Sequence, residues 1–233
     1  MSKKKEESEN LPISVEDMIK KQLLDQRGQL GALPSNKIGL RNKEFTLPDG
    51  QKSPGPLDCI ILDFSWFMVH YPGVYNSNNP QQPNCFATGR EKPDGGVLKP
   101  HESAAEPQGE NCAVCPKNQW GSAPTGRGKA CKNQRRLILV PPNFDESTEP
   151  MTMYVSPGGL KNFDKYVSRL NNEQGVLPVQ VVTSISFDAD QSYPLLKFAF
   201  VERHTRVNDA WSLRERSESL LFRELETKGE KAA

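Results

Sequence analysis

The chain has 233 residues, of which 35% are hydrophobic and 25% charged, with 17 Gly and 19 Pro. At a mean hydropathy of −0.66 it is too apolar for wholesale disorder, and no apolar run approaches the ~20 residues of a membrane span. Thirty basic and 29 acidic residues leave a formal charge of +1, so attraction to an anionic partner must come from where the charge sits, not from its amount.

Lys3, Lys4 and Lys5 are followed by acids rather than an apolar stretch, so no secretory signal is read and a cytoplasmic location is expected. Residues 1–12 read as a polar tail. Ser14 then caps a helix whose Val15, Met18, Ile19 and Leu23 share one face to about Arg27, with an acid at the third position. Gly28, Gly31 and Pro34 end it, which makes residues 1–36 an N-terminal tail with an amphipathic docking helix. Ile38, Leu40, Phe45 and Leu47 alternate weakly before the turn Pro48-Asp49-Gly50 and predict a strand or short hairpin.

Leu57 to Tyr71 is the strongest strand signal. Ile60, Leu62, Phe64, Trp66 and Met68 form one apolar face and the odd positions a mixed one, as in a long, curved strand. Residues 72–130 show no such period. They hold eight Pro and eight Gly, and a loop of this length needs something other than a core to hold it. Regular structure resumes with strands at Arg136–Val140 and Met151–Val155. A helix follows Ser156-Pro157, with Leu160, Phe163, Val167 and Leu170 on one side and Gly175 at its end. Strands at Val179–Phe187 and Leu195–Val201 come next, then a last helix over Asp209–Thr227.

Five strands with one helix between the third and fourth is the element order of an OB-fold, a Greek-key barrel. The expected organisation is therefore a mainly β OB-fold domain over residues 37–205, with an insertion at 72–131 between strands 1 and 2. Residues 206–233 form a C-terminal helix and tail.

Cys85, Cys112, Cys115 and Cys131 fall in or at the edge of the coreless insertion, and an intracellular chain with five cysteines argues for metal or redox chemistry over disulfides. Cys112 and Cys115 have the Cys-x-x-Cys spacing that lets two thiolates reach one tetrahedral ion. One structural zinc bound by all four would staple the loop. A redox pair and unliganded loop cysteines are the competing readings, and His101 is an alternative to Cys85 as the fourth ligand. Cys59, inside the apolar strand, reads as a small buried hydrophobe.

Between Asn111 and Val140 stand Lys117, Arg127, Lys129, Lys132, Arg135 and Arg136, and no acid. That bias points to phosphates, with the amides of Gly126–Gly128 able to approach one closely. Trp120 lies among them, and Tyr71 and Tyr75 precede the insertion; such rings stack on bases of any identity. Trp120 could instead pack over the zinc site.

The segments Pro83-Asn84-Cys85-Phe86-Ala87, Cys112-Ala113-Val114-Cys115-Pro116-Lys117-Asn118-Gln119-Trp120-Gly121-Ser122 and Gly126-Arg127-Gly128-Lys129-Ala130-Cys131-Lys132-Asn133 resemble tailed-phage single-stranded-DNA-binding proteins. The resemblance spans about residues 37–202. It implies a non-enzymatic protein that coats single-stranded DNA in phage DNA replication, recombination or repair, in the host cytoplasm, with replication or recombination proteins as partners of the terminal helices. The chain departs from that family at its end, where residues 202–231 carry seven acids and seven bases instead of an acidic tail. Two other readings remain open: a zinc-ribbon regulator of a polymerase and a metal-dependent nuclease. The second is short of donors, with three His in the chain and no carboxylate beside the cysteines.

Overall fold

A computed structural model describes Val15 and residues 36–73 and 82–223. The description below concerns the compact unit Asn36–Leu225. The N-terminal helix, Tyr75 and the end of the expected last helix lie outside the described residues. Among the described residues no helix is long and apolar enough to cross a membrane.

The structure is mainly β, in two antiparallel sheets. The smaller holds β1 (Gly39–Arg41), β2 (Glu44–Thr46) and β3 (Lys52–Ser53). Asn42 and Lys43 turn β1 into β2 with φ of 53° and 56°, the pair of left-handed residues that a two-residue hairpin turn requires. The larger sheet contains β4 (Leu57–His70), β5 (Cys85–Gly89), β6 (Lys132–Val140), β7 (Met151–Val155), β8 (Val181–Phe187) and β9 (Leu196–Arg203). Its order is β7-β6-β4-β8-β9. β4 pairs with β6 along most of one edge and shares the other edge between β8, at Leu57–Cys59, and β5, at Trp66–His70. The insertion thus contributes a strand of its own, which its Pro- and Gly-rich sequence does not announce.

β4 buries both faces rather than one. Its register with β6 shifts between Ile61 and Asp63, a bulge that puts two residues against one and reverses the alternation. Before it, Cys59 and Ile61 enter the core beneath α1 (Leu160–Gln174), while Ile60 and Leu62 face the C-terminal helices. Past it, Phe64 takes over the α1 side, and Trp66 and Met68 continue into the insertion. The mixed positions Asp63, Ser65, Phe67 and Val69 fall on the opposite face.

α1 stands between β7 and β8, as expected. It buries Phe163, Tyr166 and Leu170, with Tyr166 and Thr183 sharing a hydrogen bond of 2.6 Å. Gly175 ends it in the left-handed region at φ 64°, and the Val176 N–H returns to the Leu170 carbonyl at 3.1 Å, a turn that glycine makes without steric cost. The last helix is two, α2 (Val207–Arg216) and α3 (Glu218–Phe222). They separate at Ser217, whose hydroxyl donates to the Leu213 carbonyl at 2.7 Å.

No closed barrel is found. β7 and β9, the two ends of the order, are not paired with each other. Asn36–Ile38 take the free edge of β7 instead: Ile38 N–H donates to the Thr152 carbonyl and Thr152 N–H to that of Asn36, both at 2.8 Å. The small sheet that follows inserts Phe45, fully buried, against Phe187 with ring centres 4.5 Å apart. It closes by a plug the core that strand pairing leaves open.

Candidate metal centre and nucleic-acid interface

Pairing of β5 with β4 sets Cys85 opposite His70. The Cys-x-x-Cys segment turns through Pro116–Asn118, and its carbonyls are tied down: Asn118 N–H donates to Cys115 O at 3.0 Å and Asn118 Nδ2 to Cys112 O at 2.7 Å. Cys112 N–H reaches Leu98 O at 2.9 Å, and Cys131 N–H reaches Lys117 O at 2.8 Å. These bonds bring Cys85, Cys112, Cys115 and Cys131, all buried and all free thiols, to the lining of one cavity of about 10 Å³, room for about one water-sized body.

The insertion is not coreless. Trp66, Met68, Ala87 and Leu98 pack with Cys112 and Cys131, so unliganded cysteines on a solvated loop do not describe it. A redox pair fits no better. Burial, reinforced by the neighbouring cysteines, pushes the Cys112 and Cys131 thiols up to about 12, and burial raises Cys85 against an opposing hydrogen bond from the Gln108 backbone. A reactive Cys-x-x-Cys needs the opposite shift, and the three-residue turn after Cys115 offers no helix N-terminus to produce it. Buried cysteines gathered on one small cavity are the ligand type that a thiophilic dication holds as thiolates. Among the described residues, however, no group of three or more His, Cys, Asp or Glu is placed so that it could hold a metal ion. Asn118, 2% exposed, also lines the cavity and leaves its Oδ1 without a hydrogen-bond partner.

The histidine of this cavity is His70, not His101. His101 stacks on Phe86 with ring centres 4.8 Å apart and meets Ser103 Oγ at 2.8 Å. His70 lines the cavity, its Nδ1 2.8 Å from Asn84 Oδ1, while Asn84 Nδ2 donates to Glu106 Oε2 at 2.8 Å. A carboxylate only accepts, so Glu106 orients the amide, and the amide oxygen places the His70 proton on Nδ1. His70 sits at the end of an apolar strand, and its partner in register is a cysteine; the two-residue period of β4 was the available signal.

The six basic residues divide. Lys117, Arg127 and Lys132 are exposed, and Lys129 is half-buried with Asp94 at 3.5 Å. Arg135 lies over Trp66, 3.7 Å from its ring centre, and pairs with Asp164 at 3.2 Å. Arg136 is 2% exposed and bonds Tyr154 Oη and the carbonyls of Leu220, Leu221 and Arg223. Neither arginine belongs to an outward basic face, because Arg135 is paired with Asp164 of α1 and Arg136 is covered by residues 220–223. Of the amides in the glycine turn, Gly126 N–H donates to Ala123 O at 2.8 Å and Arg127 N–H to Thr125 Oγ1 at 3.5 Å.

Trp120 is 81% exposed and does not pack over the cysteines. Tyr71, 45% exposed, belongs with Tyr154 on the other face, where burial and the Tyr154 side chain raise its hydroxyl. Lys37 Nζ lies 4.7 Å from the Tyr154 ring centre. Polar Thr152 and Tyr154 alternate with buried Met153 and Val155 in β7, a period-2 pattern that marks Tyr154 as outward-facing and that sequence reasoning left unused.

No family model, curated protein or solved structure matches the chain.

Proposed function

We propose that the protein is a non-enzymatic single-stranded-DNA-binding protein with an OB-type sheet and one structural zinc. The carrying observation is Trp120, 81% exposed on a loop otherwise tied down by its own hydrogen bonds, with Lys117 and Arg127 exposed along the same segment. An indole presented to solvent beside cations suits base stacking with phosphate contact. The strand order β7-β6-β4-β8-β9, with α1 between β7 and β8, supports the OB reading, although no closed barrel is found and β5 is added beside β4. Cys85, Cys112, Cys115 and Cys131 are the proposed zinc donors. They would fix the loop that presents Trp120, with His70 as the adjoining nitrogen. The resemblance of the cysteine segments to tailed-phage proteins agrees with a role in replication, recombination or repair.

Fluorescence titration with matched single- and double-stranded oligonucleotides tests the reading. Preference for the single strand is expected, with log K falling against log salt at a slope of roughly −2 to −3 for three or four engaged cations. Equal or salt-insensitive binding overturns it. One observation favours a second reading, a protein-interaction module: Val114, at 76% exposure, stands on the Cys-x-x-Cys turn in the same segment as Trp120. No affinity for any oligonucleotide would leave that reading standing.

A further inference from the structure

We propose that the C-terminal helix pair is a latch on the cysteine insertion, holding β5 to the sheet so that opening of the insertion and release of the C-terminus are coupled. The polar side chains on one face of three adjacent strands are committed to residues 214–223. The Leu221 carbonyl accepts from Thr88 Oγ1 of β5 at 2.8 Å, Arg136 Nη1 of β6 at 2.9 Å and Ser65 Oγ of β4 at 3.2 Å. Arg136 Nη1 also reaches Leu220 O at 3.1 Å and Arg223 O at 2.8 Å. These carbonyls end α3 and have no donor within the helix.

A second link runs through charge. Arg90, next after β5, gives both Nη atoms to Asp63, at 3.1 and 2.9 Å, and Nη2 to Glu218 Oε1 at 2.7 Å. Asp63, 9% exposed, also pairs with Arg214 of α2 at 2.9 Å. The Arg90 guanidinium covers the Phe222 ring at 5.6 Å. β5 is therefore fastened to α3 at both Thr88 and Arg90.

Among the described residues β5 has one strand neighbour, β4. A five-residue strand with a single neighbour is where a sheet opens first, and α3 serves as its second neighbour. Cys85 begins β5, so an opening of β5 takes one wall from the cysteine cavity. Linkage makes the effect reciprocal: whatever favours the closed insertion also favours the docked helix pair.

Hydrogen exchange and thiol labelling on the full chain as purified, with its metal content left unchanged, test this. Both are read without nucleic acid, so failure here is distinct from failure of the DNA-binding reading. Thr88→Val keeps shape and strand propensity while deleting the Leu221 bond, and Glu218→Gln weakens the charged link without touching the core. In each variant the Cys85–Gly89 amides are expected to exchange about fivefold faster, the factor of one net hydrogen bond, with the four thiols labelling faster in step. Thr88→Ser should restore wild-type rates. Two outcomes overturn the proposal: faster exchange confined to residues 214–223, or equal acceleration in β7 and α1, which would mean general destabilisation.

Discussion

A single side chain separates stacking from packing. Trp120 is exposed to a degree that leaves nothing for its removal to unpack, and surface substitutions away from such support fall within about 0.5 kcal/mol. Trp120→Ala should therefore melt with the wild type while binding single strands roughly tenfold more weakly, because a stacked ring contributes about 1–3 kcal/mol. Its salt slope should not change, since stacking releases no counterions. Isothermal titration at three salt concentrations reads both quantities. Tyr166 is the opposite case. Burial pushes its hydroxyl up to about 12, with the Thr183 bond opposing, so the fold retains a proton that the unfolded chain loses near pH 10. This contribution is complete below pH 10 and is lost as pH rises toward 12. Denaturant midpoints between pH 9 and 11.5 should fall in the wild type and fall less steeply in Tyr166→Phe.

At the level of elements, what carried a local signal was legible and what depended on a distant partner was not. Met151–Val155 is a strand with the expected bounds, and α1 ends at Gly175 because only a left-handed residue lets Val176 turn back to Leu170. Gly175→Ala, forced into that region, should cost about 1 kcal/mol and lower the melting temperature without altering the folded spectrum. β5 was not legible: Cys85–Gly89 is a strand because β4 offers its second edge. The even-numbered apolar face of β4 was legible as residues but not as a surface, because the bulge before Asp63 is made in partnership with β6. The same blindness applies to charge. Residues 111–140 contain no acid, yet the fold brings Asp94 to Lys129 and Asp164 to Arg135. The cysteines were legible as a set because the Cys-x-x-Cys spacing is local; the placing of His70 among them needed the strand register.

Across the whole molecule the apolar residues form separate clusters, and this makes the metal reading testable against the fold. The largest lies between the sheet and α1; the cysteines belong to a small one around Trp66 and Met68. If one zinc joins the four thiols, elemental analysis should find about one per chain, and X-ray absorption should show sulfur donors, with nitrogen only if His70 enters the shell. Cys112→Ser should lose the ion, and because Cys112 belongs to the small cluster alone, the loss should stay there. Limited proteolysis should then cut within residues 90–130, while the Tyr166 and Phe163 core still unfolds cooperatively. Binding should weaken with the ion, since the loop carrying Trp120 and Arg127 would no longer be held at Cys131. Arg127 and Lys129, replaced together by Ala in zinc-replete protein, should instead leave the metal in place and make the salt slope shallower by about one to two. An unchanged metal content in Cys112→Ser would refute the staple, whereas an unchanged slope in the double variant would remove phosphate contact from the loop while leaving the staple intact.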